Sequence, residues 1–215
     1  MFLQILTSKS SYLQRNKVNF IKFFNKNVKI QFINNSKYIK KKTNLVIVIS
    51  HYKKIPHNSL RINGNIFVIH ESNLPKGRGM SPLFNQILNG KEKIVSTIFR
   101  CSKNFDDGPV IFKKEFYYPG NLVYEEIKAL QLKNGVSLVK RLIKLINKGE
   151  LSAIKQIGMT SYFKKISSKI NELNINKSIK SQINILRTRD KKKFCGYFFY
   201  KKRKFYLSMI PEKKV

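Results

Sequence analysis

The sequence predicts an α/β fold: a parallel sheet with flanking helices, followed by a short C-terminal helix and a β-hairpin. Three observations carry that prediction. Four short apolar runs, rich in β-branched and aromatic residues, fall within the first 70 positions; a helix-length segment separates the first two; and a long helical stretch follows two further strand-like runs.

Taken in order, Phe2–Leu6 reads as the first strand and residues 12–24 are long enough for a crossover helix. Residues 28–33 and 45–49 read as the second and third strands. Pro56, inside residues 52–60, marks a turn or the start of a short helix. The fourth strand, residues 66–69, delivers His70 to a sheet edge, where α/β folds collect their reactive groups. Ser81 and Pro82 form a helix start, because serine caps free backbone donors and proline suits the first helical position. Asn89 and Gly90 suit the exit, so a helix over Pro82–Leu88 is expected. Residues 94–99 and 110–116 read as strands around the loop SKNFDDG. Residues 121–147 read as a long helix, with Glu125 and Glu126 near its positive end and Gly135 as a candidate interruption. After Gly149, residues 155–174 read as irregular, 177–186 as a helix, and 196–200 with 204–208 as a hairpin. Residues 1–150 are thus expected to form the main domain and 151–215 a short extension packed on it.

With 42% hydrophobic and 12% aromatic residues, the chain can fill a core, so its high charge does not imply disorder. Lys and Arg number 44 against 11 acids, a formal charge of +33, and no acid precedes Glu71. That balance points to anionic partners: nucleic acid, a membrane surface, nucleotide sugars or polyglutamylated folates. The lysines are spread along the chain, which compositional drift explains as readily. Two distant cysteines, Cys101 and Cys195, favour a reducing setting. With no apolar run long enough for a bilayer and no secretory leader pattern, a cytoplasmic location away from membranes is expected.

No GxGxxG or GxxxxGK[ST] follows the first strand, where TSKSSY stands instead, which disfavours a dinucleotide site or P-loop. His51 and His57 lack metal-ligand spacing, so no metal is expected. The stretch HESNLPKGRGMSPL, beginning at His70, joins a strand-end histidine to a basic glycine loop.

Along the chain stand a strand, His70, the loop SNLPKGRG, a helix from Pro82, two strands and FDDG. That order resembles the folate-dependent formyltransferase family, which includes methionyl-tRNA formyltransferase and the N-formyltransferases of amino sugars. The wording HESNLPKGRGMSPL with FDDGPV is most similar to the sugar branch. The resemblance implies a Rossmann-like formyltransferase sheet. It also implies transfer of a formyl group from N10-formyltetrahydrofolate to a primary amine, with His70 and Asp106 as the catalytic pair. By the same resemblance Leu74, Pro75, Arg78 and Gly79 lie beside the folate. Formyl transfer needs a group that takes and returns a proton near neutral pH, which an imidazole beside a carboxylate supplies.

The sequence departs from the family pattern at three places. Val68 stands two positions before the histidine, where the family's asparagine helps hold the formyl oxygen, and alternation puts it on the same strand face as His70. Ser72 or Asn73 is then the candidate substitute donor. Asn73 and Met80 replace the sugar branch's aspartate and tryptophan. The leading expectation is an enzyme acting on a nucleotide-linked amino sugar, with a homodimer as a further expectation. The alternative is methionyl-tRNA formyltransferase, which the charge favours; that type carries a sizeable RNA-binding domain, and only about 65 residues follow Gly149. A third possibility is a non-catalytic basic binding protein on a decayed formyltransferase scaffold.

Overall fold

The computed structural model describes residues 1–191 and 194–212. Its centre is a six-stranded sheet formed by β1 (Phe2–Leu6), β2 (Lys29–Ile33), β3 (Leu45–Val48), β4 (Ile66–His70), β6 (Lys93–Arg100) and β7 (Val110–Tyr117). The strand order is β2-β1-β3-β4-β6-β7. The first four strands are parallel, as expected, whereas β6 runs antiparallel to both β4 and β7. The parallel arrangement expected from the first four runs thus holds for those four strands, and β6 and β7 extend the sheet in antiparallel fashion. The loop between β6 and β7 is too short for a crossover, so those strands turn back as a hairpin.

The early strands are apolar on both faces because both faces are covered. On one face Leu3, Ile5, Leu45, Ile47, Phe67 and Ile69 pack with Leu13, Phe20, Val136, Val139 and Leu142 from the helices. On the other, Leu6, Val46, Val48 and Ile66 form a second cluster with Ile33, Ile39 and Ile55, against which Val68 packs. Gln4 is fully buried yet satisfied: its amide donates to Gln31 Oε1 and the Tyr38 carbonyl and accepts from Lys40 N and Thr43 Oγ1. One side chain thereby fastens the segment 38–43 beneath β1.

The single helix expected over residues 12–24 is two, α1 (Tyr12–Arg15) and α2 (Lys17–Ile21). Asn16 separates them at φ −110°, its amide donating back to the Tyr12 carbonyl at 3.0 Å, the local bond by which asparagine competes with helix continuation. Helix α3 (His57–Ile62) begins after Pro56, and α4 (Pro82–Leu88) has the expected bounds. Ser81, expected to cap α4, makes no cap bond: at φ +50° it lies outside the extended conformation that capping serines use.

Helix α5 (Tyr124–Asn147) runs unbroken through Gly135, which corrects the expected interruption. Neighbouring packing along Val136, Leu138, Val139 and Leu142 outweighs one glycine's helix penalty. The chain beyond it contains β8 (Tyr162–Phe163), α6 (Ile179–Arg187) and a hairpin of β9 (Gly196–Tyr200) and β10 (Arg203–Leu207); β8 pairs with β5 (Arg78–Gly79). Arg187 anchors α6 from a fully buried position, donating to Asn184 Oδ1 and to the carbonyls of Pro119 and Leu122.

Gly135 borders a small void beside Tyr12, Phe20 and Lys128, and a methyl added there meets no atom within 4 Å. Gly135→Ala is therefore expected to raise unfolding stability by about 0.5–1 kcal/mol, read as a higher urea midpoint at unchanged slope.

Candidate active site

His70 closes β4 where the sheet changes from parallel to antiparallel pairing, opposite Thr97 of β6. Its side chain is 8% exposed, so both ring nitrogens need partners. Nε2 donates to the Gly77 carbonyl at 2.8 Å, and Nδ1 faces Asp106 Oδ2 at 3.8 Å. With Nε2 committed as donor, the neutral ring carries its lone pair on Nδ1. That nitrogen is the one able to accept a proton, and Asp106 stands where the resulting positive charge is stabilised.

The loop after His70 is folded to make this arrangement. Ser72 N returns to the His70 carbonyl, Thr97 Oγ1 donates to the Ser72 carbonyl at 2.6 Å, and Gln86 donates to the Glu71 carbonyl. Gly79 sits at φ +97°, and an added Cβ would lie 2.6 Å from the Phe163 carbonyl oxygen. Its amide donates to Asp106 Oδ2 at 2.9 Å, fixing the carboxylate against His70.

Asp106 and Asp107 are neighbours with separate work. Asp107 accepts from Ser102 and from Asn104, holding the turn together. Burial pushes its carboxyl up, but those bonds and the Arg78 charge outweigh it and keep the group below its ordinary value. Asp106, at φ +52°, faces His70 instead. Nearby Cys101 is pushed up to about 11 by burial, with the charges of Asp106 and Asp107 adding to the shift, so its thiol stays protonated.

The other expected residues are placed as follows. Val68 pairs across the sheet with Phe99, so this position offers no side-chain donor, and the hydroxyl of Thr97, opposite His70, is spent on the Ser72 carbonyl. Asn73 has its side-chain oxygen, Oδ1, accepting from Lys113, whereas the Ser72 hydroxyl is buried without a hydrogen-bond partner among the described residues. Leu74 and Pro75 are buried, and Lys113 also reaches the Leu74 carbonyl. Arg78 turns its guanidinium toward Gln156 at 2.7 Å.

Sequence reasoning missed the segment that covers these loops. Ser161 accepts from Gly77 N through its hydroxyl and from Arg78 N through its carbonyl, and Met80 N donates to the Phe163 carbonyl. Gln156 donates to the carbonyls of both Asp106 and Gly108 at 2.9 Å. A two-residue strand leaves no periodicity, so nothing in residues 154–163 signals the role.

On the α5 side a second polar group forms. Gln131 bridges Glu71 and Lys128, whose ammonium also lies over the rings of Phe84 and Tyr12. The Lys128 side chain as a whole is partly exposed, but its charged end is enclosed, and that burial pulls it down to about 8 despite the opposing pull of Glu71. Among the described residues no group of three or more His, Cys, Asp or Glu could hold a metal ion, and no helix is long and apolar enough to cross a membrane.

The class the structure defines is a mixed-sheet α/β protein in which a histidine at the parallel-to-antiparallel junction faces an aspartate from the next hairpin. Residues 11–129 match the Formyl transferase family, and the chain belongs to it. A methionyl-tRNA formyltransferase of Clostridium beijerinckii is 30% identical over 119 residues, covering 55% of this chain and 39% of that protein. The chain therefore spans about two fifths of the length of that relative. The structure of methionyl-tRNA formyltransferase from Clostridium thermocellum superposes with a TM-score of 0.78 at 21% identity, over 99% of this chain and 94% of that one. WlaRD, a sugar 3N-formyl transferase solved in the presence of dTDP and 5-N-formyl-THF, gives 0.62 at 19% identity, over 87% and 78%.

Gly79→Ala is expected to cost about 2–4 kcal/mol, because it adds left-handed strain to a clash with backbone; urea unfolding measures it. Lys128 is depressed when folded, so the unfolded chain binds more protons above about pH 8. Stability should rise between about pH 8 and 9 by on the order of 1 kcal/mol relative to Lys128→Met, compared in parallel denaturant titrations. Cys101, raised to about 11, acts in the opposite sense already within that window, and Tyr124, also raised, does so above it, so the comparison with Lys128→Met isolates the lysine.

Proposed function

We propose that this chain transfers a formyl group from N10-formyltetrahydrofolate to the primary amine of a nucleotide-linked amino sugar. The observation that carries this reading is the buried His70–Asp106 pair, with Nε2 tied to Gly77 and Nδ1 left as the base. The sugar as acceptor is supported by the HESNLPKGRGMSPL and FDDGPV wording and by the fold shared with a sugar 3N-formyl transferase.

The donor set fits a carbonyl-delivering co-substrate: an unpartnered buried hydroxyl, Ser72, lies on the same loop as the imidazole. Leu74, Pro75, Arg78 and Gly79 would border the folate: the main-chain N–H groups of residues 76–79 are already paired within the protein, whereas the Arg78 Nε is buried without a hydrogen-bond partner among the described residues. The folate supplies an activated formyl carbon and a nitrogen leaving group. His70 Nδ1 takes the proton from the attacking amine and holds it for the departing nitrogen. Asp106 stabilises the imidazolium while that proton is held, and Ser72 donates toward the oxygen on which negative charge develops.

A second reading, methionyl-tRNA as acceptor, is favoured by the +33 charge and by the curated relatives. Purified chain, formyl donor and a panel of nucleotide 3-amino and 4-amino sugars separate the two by mass spectrometry of the product. His70→Ala and Asp106→Asn are each expected to lower turnover about 10²–10⁴-fold without unfolding. Formylation of charged initiator tRNA alone would overturn the sugar reading. Salt-sensitive RNA binding with no transfer to any amine would overturn the enzyme reading. Restoring a donor by Val68→Asn is expected to raise turnover roughly tenfold and to lower stability by about 1–3 kcal/mol, because an amide enters an apolar cluster.

A further inference from the structure

Asp106 is held in a costly conformation. A non-glycine residue at φ +52° forfeits about 1–2 kcal/mol, so something outside its own loop has to fix it. The carbonyls of Asp106 and Gly108 both point at one amide, Gln156 Nε2, 2.9 Å from each. On the other side of that amide, Oε1 accepts from Arg78 Nη2 at 2.7 Å. The assignment of nitrogen and oxygen is forced, since carbonyls only accept and a guanidinium only donates.

Gln156 is itself held on both sides. Ile154 exchanges two backbone bonds with Val110, at 2.7 and 2.8 Å, and residues 161–163 pair with β5. Through Ser161 the same segment binds the amide of Gly77, whose carbonyl receives His70 Nε2. One strap therefore touches the partner of His70 at one end and the backbone of Asp106 at the other.

We propose that Gln156 is a positioning residue that sets Asp106 opposite His70 Nδ1. The inference rests on the formyl-transfer reading for its kinetic part only. No other side chain of similar size serves: glutamate cannot donate to two carbonyls, asparagine is one methylene too short, and leucine leaves two acceptors and a guanidinium unpaired.

The test compares wild type with Gln156→Ala and Gln156→Glu. The amide of Gly79, which donates to Asp106 Oδ2, reports the carboxylate's orientation by hydrogen exchange without any need for activity. Both variants should speed Gly79 exchange about tenfold while amides of β1 and β3 keep their wild-type protection. They should lower kcat about 10–100-fold with the KM for the amine changed less than twofold. Wild-type exchange at Gly79, or faster exchange through β1 and β3 as well, overturns the inference. If wild type itself shows no turnover, the formyl-transfer reading fails, and the local exchange response alone decides whether Gln156 positions Asp106.

Discussion

A buried imidazole constrains everything around it. His70 lies at the C-terminal end of the interior strand β4 with almost no exposure, so each ring nitrogen has to meet a partner supplied by the fold. The Gly77 carbonyl answers Nε2, which requires the loop 71–79 to turn back within seven residues. That return is why Gly77 and Gly79 adopt positive φ, and why the ring of Phe163 and the backbone of β8 can lie directly on them. Asp106 answers Nδ1, which requires the β6–β7 hairpin to end beside β4. The antiparallel half of the sheet is thus the means by which a carboxylate late in sequence reaches a histidine at a strand end.

Such an arrangement stores strain, and the strain is offset by hydrogen bonds from elsewhere in the chain. Ser81 and Asp106 both lie at φ near +50°, on the two loops that build the site. The Met80 and Ser81 carbonyls accept from Asn85, and the Asp106 carbonyl accepts from Gln156. In each case an amide of fixed length closes the loop, a geometry that side-chain entropy would otherwise disfavour. Residues 154–163 therefore act on the loops that carry His70 and Asp106 although none of them contributes a charged group to the pair.

How much of this could be read from sequence follows from how local each signal is. Strands β1, β3 and β4 and helix α4 stand out because their apolar runs or caps are contiguous. Strand direction is not local: nothing in Lys93–Arg100 distinguishes a parallel strand from an antiparallel one, and only the short return loop decides it. Asn16 breaks a helix by a side-chain bond to Tyr12 that periodicity cannot show, and Gly135 fails to break one because packing overrides propensity. At the site, His70 and Asp106 were legible from their motif, and the structure brings them together. Gln156 was not, because its three bonds reach residues 48 to 78 positions away.

The replacement at Val68 is best understood by asking what a formyl oxygen would meet. Val68 and Phe99 face each other across β4 and β6, so this wall is apolar where a donor would lower the energy of developing negative charge. Under the proposed mechanism an apolar wall leaves the proton step in place, since that step would use only His70 and its two partners. In the proposed transfer the electrostatic work would then fall on the unpartnered hydroxyl of Ser72 and on the imidazolium. A site built this way depends more steeply on the His70–Asp106 geometry than one with a dedicated amide donor, because the positive charge on the ring then serves both the proton and the oxygen. The bonds that Gly79 and Gln156 make to Asp106 are consistent with that dependence: they fix the carboxylate from two directions, through its side chain and through its main chain.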